Sequence, residues 1–86
     1  MDRREEWRAV LGAELRRWSA LSCEELLAKL SDTQVYEVEL DGKPHQVEVE
    51  LLADTPDYVE VMVGVDDGSL PASIWPATEI FRREKC

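Results

Sequence analysis

Val35-Tyr36-Glu37-Val38-Glu39-Leu40-Asp41-Gly42-Lys43-Pro44-His45-Gln46-Val47-Glu48-Val49-Glu50-Leu51 is the stretch on which the fold turns. Tyr36, Val38 and Leu40 alternate with Glu37 and Glu39, and Val47, Val49 and Leu51 alternate with Glu48 and Glu50. A period of two belongs to strands with one apolar and one wet face. Asp41-Gly42 between the runs predicts a two-residue type I′ turn. That turn pairs Leu40 with Lys43, Val38 with His45, Tyr36 with Val47, Glu37 with Gln46 and Glu39 with Pro44. The register keeps both apolar sets on one face and keeps glutamate from sitting directly opposite glutamate. Pro44 has no N–H to give a ladder, so it predicts an edge position or a frayed end beside the turn.

Toward the C-terminus the same period continues. Strands are expected over about 34–40, 44–52 and 58–65. In the third, Val59, Val61, Val63 and Val65 face one way, and Tyr58, Glu60, Met62 and Gly64 the other. Asp66-Asp67-Gly68 signals another turn. A fourth strand is expected over about 70–75, stopped by Pro76. Glu79 to Arg83 fits a last short strand or a helical turn, and residues 83–86 fit a loosely held tail.

Toward the N-terminus the period changes to that of a helix. Over about 4–19, Trp7, Leu11, Leu15 and Trp18 recur at steps of four, four and three with Val10 beside them. Glu5, Ala9, Ala13, Arg16 and Arg17 point away from that arc, and Gly12 lies on its far side. Ser22 followed three residues later by Glu25 is a capping box, and Leu21 and Leu26 flank it as a hydrophobic staple. A second helix is expected over about 23–30, with Leu26, Leu27 and Leu30 inward. Helices before strands predict an α+β domain over residues 1–86. Its architecture is two N-terminal helices packed on one face of a three- to four-stranded antiparallel β-meander.

The net charge of −9 is concentrated in residues 33–81, where eleven acidic residues stand against Lys43 alone. Phosphate contacts need clustered Lys and Arg, so the composition argues against direct nucleic-acid binding and against an anionic membrane surface. No apolar run approaches the roughly 20 residues of a membrane-spanning helix. Two cysteines, Cys23 and Cys86, are too few for a disulfide framework. The expectation is a soluble, reduced, cytoplasmic protein.

No catalytic, nucleotide or cofactor signature is present. Glycine-rich phosphate loops, CxxC pairs, GxSxG and HExxH do not occur. Carboxylates on adjacent strands can converge on Ca²⁺ or Mg²⁺, but no EF-hand spacing exists, and no metal or cofactor is expected. His45, the single histidine, has no nucleophile or carboxylate placed for it by the sequence and reads as structural. Cys23, at a helix start, reads as a small half-buried residue, and Trp75 as a filler at the end of the core.

The outward glutamates remain. Glu37, Glu39, Glu48, Glu50 and Glu60 share one face of three adjacent strands, with Tyr58 and Met62 among them. A solvated face would look similar, yet such faces usually mix lysine with glutamate. An apolar patch rimmed by charge is an interface pattern, and charge of one sign speeds association with the opposite sign. The expected function is a non-enzymatic adaptor, regulator or inhibitor meeting a basic protein. The alternatives are a homodimer through a sheet edge or the Val35, Leu52, Tyr58 and Met62 patch, and an enzyme subunit or small-ligand binder using His45 or Cys23.

Overall fold

A computed structural model describes residues 3–66 and 77–85. In chain order the elements are α1 (Arg3–Ser19), α2 (Cys23–Lys29), β1 (Gln34–Leu40), β2 (Lys43–Asp54), β3 (Tyr58–Asp66) and β4 (Ala77–Glu84). The strands form one antiparallel sheet in the order β1-β2-β3-β4, so the chain is α+β.

The hairpin has the expected register from Leu40↔Lys43 back to Tyr36↔Val47, and pairing continues to Gln34↔Val49. Asp41 has φ 52° and Gly42 φ 75°, the two positive values that a type I′ turn needs. A two-residue turn makes Leu40 and Lys43 a hydrogen-bonded pair, and bonded pairs then alternate along the ladder. Gln34, Tyr36 and Val38 therefore bond to β2, while Val35, Glu37 and Glu39 turn their N–H and C=O groups outward. The same alternation turns Pro44 away from β1. The β2–β3 register begins only at Gln46↔Asp66, so the missing N–H of Pro44 interrupts no described pairing.

Val47, Val49, Val59, Val61, Val63 and Val65 are fully buried and form one cluster with Val10, Leu11, Trp18, Leu26 and Leu30. A register shift between Leu51 and Ala53 marks a bulge, and it leaves Leu52 43% exposed. Beyond β3, Glu79 to Arg83 take the strand option of the sequence reading, within a longer strand. The segment 70–75 and Trp75 lie outside the described residues, and the fourth strand is Ala77–Glu84. Arg83 and Glu84, expected in a loose tail, lie in β4, and the Lys85 N–H donates to the Asp57 carbonyl at 2.9 Å.

α2 starts as its sequence signals. Ser22 accepts from the Glu25 N–H, and the Glu25 carboxylate accepts from the Ser22 N–H. Leu26 is fully buried, and Leu21 packs against the same core.

α1 presents its expected arc, with Val10, Leu11 and Trp18 buried, Trp7 and Leu15 packed against the same core, and Glu5, Ala9, Ala13, Arg16 and Arg17 exposed; two carboxylates join it unannounced. Its buried stripe takes in Glu6 and Glu14, 5% and 8% exposed, while Trp7 and Leu15 are only half-buried. Both carboxylates have partners, which is what permits their burial. Tyr36 Oη donates to Glu14 Oε1 and itself accepts from Trp18 Nε1 at 2.8 Å. Arg17 lies 3.4 Å from Glu14. At the other end Glu6 Oε1 holds Lys43 Nζ at 3.1 Å, and Glu6 Oε2 is 3.9 Å from His45 Nε2.

Gly12 leaves room for a side chain. A Cβ there would meet only the end of Arg16, at an ordinary 3.5 Å. Gly12→Ala is therefore expected to stabilise the domain by about 1 kcal/mol, through helix propensity and a less free unfolded chain. Urea unfolding would read this as a rise in midpoint.

Candidate functional site

Successive side chains on a strand face opposite ways, so the face opposite the buried valines carries the glutamates. Glu37 and Glu39 on β1 are exposed, and Glu48, Glu50, Glu60, Tyr58 and Met62 on β2 and β3 are half-buried. Across the strands Val35 stands opposite Glu48, Glu37 opposite Gln46, Glu39 opposite Pro44, and Glu50 opposite Met62. None of these positions places a cation beside a glutamate. Lys43 belongs to the hairpin too, but its side chain reaches Glu6 of α1.

Glu48 carries the electrostatic mark of this crowding. Burial first, then the neighbouring charges of Glu50 and Asp66, push its carboxyl above the ordinary glutamate value. Asp66 itself is buried at the end of β3.

The β4 side of the same face differs. Arg82 stands opposite Glu60, its Nε donates to Glu60 Oε2 at 3.0 Å, and its guanidinium lies 4.5 Å from the centre of the Tyr58 ring. The hydrogen bond to Glu60 chiefly raises the Arg82 pKa. Glu60 and Tyr58 thus already have a cation, and the unanswered charge is confined to Glu37, Glu39, Glu48 and Glu50. Ile80 of β4 is 53% exposed opposite Met62, and Val35 of β1 is 57% exposed. Arg82 and Ile80 were missed in the sequence because Ala77–Glu84 shows no clean alternation of apolar and polar residues.

His45 and Cys23 stand apart from this face. His45 is buried, with Nδ1 3.1 Å from the Lys43 carbonyl. A carbonyl only accepts, so Nδ1 is the donor in this contact, and Nε2 faces Glu6. This partner was invisible in the sequence, 39 positions away. Cys23 is half-buried and its Sγ donates to the Arg83 carbonyl at 3.3 Å, beside a cavity of about 510 Å³ at the start of α2. Among the described residues no three metal-type side chains converge, and no helix is long and apolar enough to cross a membrane. Comparison with known proteins gave no match to a family model, a curated protein or a solved structure.

Proposed function

We propose that this domain is a non-catalytic interaction module, an adaptor, regulator or inhibitor, whose glutamate face meets a basic protein in the cytoplasm. The observation that carries it is the absence of a cation opposite Glu37, Glu39, Glu48 and Glu50 among the described residues, with Lys43 engaged by Glu6. The raised carboxyl of Glu48 adds to it, because a cation brought to that face relieves the crowding. In this reading the helices cover the valine face and leave the glutamate face open, with Met62 and Ile80 as apolar contacts beside the glutamates on β3 and β4. Two copies meeting through Val35, Leu52 and Ile80 are a second reading, favoured by the exposure of those side chains. Face-to-face pairing would set glutamates against glutamates, which supports the basic partner instead.

A variant with Gln at positions 37, 39, 48 and 50 keeps size and shape and removes four charges. It is expected to lose, by roughly tenfold or more, the affinity of any partner bound by wild type, and that partner's retention is expected to weaken with salt. Affinity capture from a lysate of the source, titrated with salt, measures both. Equal capture by wild type and variant overturns the reading. Light scattering tests the second reading, since a solution mass of 9.8 kDa excludes a stable pair.

A further inference from the structure

Resting on the glutamate-face reading, we infer that the partner docks by adding a strand to the free edge of β1. The occupant is an extended segment that alternates Lys or Arg with small apolar residues.

Three observations point to this. First, no described strand pairs with the outer edge of β1, which leads the sheet order. The hairpin register leaves the backbone N–H and C=O groups of Val35, Glu37 and Glu39 facing away from β2. Strand addition uses such groups for affinity and alternate side chains for selection. Second, the residues with free backbone groups carry the outward side chains Val35, Glu37 and Glu39. A strand laid against β1 would place every second side chain about 5 Å from these, where Lys or Arg answers Glu37 and Glu39. Third, the other side of β1 opens on a mostly apolar groove of about 160 Å³ between β1 and α1, lined by Ala9, Val10, Ala13, Val38 and Leu40 together with Glu14, which Tyr36 and Arg17 already hold, and Glu39. Ala9 and Ala13 are exposed on α1 and leave space for small apolar side chains of the added strand. The two sides of β1 therefore ask for opposite chemistry at alternate positions of one segment.

Charge also weighs against a second copy at this edge. An antiparallel β1–β1 pair centred on Glu37 sets Glu37 against Glu37, and one centred on Val38 sets Glu37 against Glu39. Like charges directly opposite are destabilising. A pair centred on Tyr36 avoids that clash but sets Val35 against Glu37 and leaves the glutamates without a cation, which a cationic strand supplies.

The test is titration of the full chain with a synthetic peptide of alternating lysine and valine, read by calorimetry and by amide hydrogen exchange. The expected result is binding that weakens with salt and at least tenfold slower exchange at the Val35, Glu37 and Glu39 amides. N-methylation of the peptide residues that face β1 should abolish binding, and methylation of the alternate residues should not. Glu37→Gln with Glu39→Gln should weaken binding about tenfold or more without changing the fold. Binding that leaves those three amides unprotected, yet is lost from the quadruple Gln variant, overturns the strand addition and keeps the glutamate face as the site. Equal binding to the quadruple Gln variant overturns both. Failure of the peptide to bind also overturns the strand addition, and the face then stands or falls on the salt-dependent capture described above. Protection accompanied by a doubled solution mass without peptide would assign the edge to a second copy and overturn the cationic strand.

Discussion

Leu26→Ala is expected to lower the unfolding free energy by about 3 kcal/mol. Leu26 is the fully buried residue of α2, and its side chain joins that short helix to the buried core cluster. Seven helical residues are too few to hold a helix by propensity, so α2 depends on its cap and on this contact. A chain of 86 residues has a total stability of roughly 4–13 kcal/mol, so the loss is a large share of it. Urea unfolding should show a lower midpoint at an unchanged slope. A shift worth less than about 1 kcal/mol would mean that the site collapses around the alanine, or that α2 is not docked through Leu26.

Tyr36→Phe is expected to cost about 2 kcal/mol. The hydroxyl links Trp18 Nε1 to Glu14 Oε1, and its removal leaves a buried carboxylate short of a donor. The effect has a pH signature. Burial first, then the Glu14 carboxylate that accepts its proton, raises the Tyr36 hydroxyl from 10.0 to about 12, against the opposing pull of Trp18 and Arg17. The folded state therefore favours the neutral phenol. That contribution to stability is complete below pH 10.0 and is lost as pH rises toward about 12. Tyr36→Phe should remove this loss, so the difference in stability between wild type and variant shrinks across that window. Unfolding curves at several alkaline pH values measure the difference, and a constant gap would show that Tyr36 ionises freely in the folded chain.

The legible parts of this fold are those in which neighbours in sequence carry the signal. The β1–β2 register follows from Asp41-Gly42 and the alternation on either side, and the α2 start follows from Ser22 and Glu25. Neither needs a distant partner. Glu6 and Glu14 were not legible as inward residues. A charged residue in a helix reads as solvent-facing unless its partner is known, and their partners His45, Lys43 and Tyr36 lie on the hairpin. The same holds across β3 and β4. Glu60 and Tyr58 belong to the glutamate face by alternation, but Arg82 reaches them only once the strands are paired. The bulge at Leu52 falls where the alternation has already given way to Leu51-Leu52-Ala53, and a run of apolar residues does not say which of them turns outward. The site was thus legible as a face and not as a charge distribution.

The sheet order equals the chain order, and this bears on how the chain is made. Each strand pairs with the one just before it, so each step closes a short loop at little entropic cost. The helices are different. α1 touches β3 and β4 as well as β1, and Cys23 of α2 bonds to Arg83, 60 residues later. During synthesis the N-terminal segment leaves the ribosome first, and its last sheet partner leaves last. For that interval the hairpin has its neighbours while Trp18 and Leu26 lack part of theirs. A nascent chain halted before β4 should accordingly be a chaperone client through its helices, with its meander already zipped.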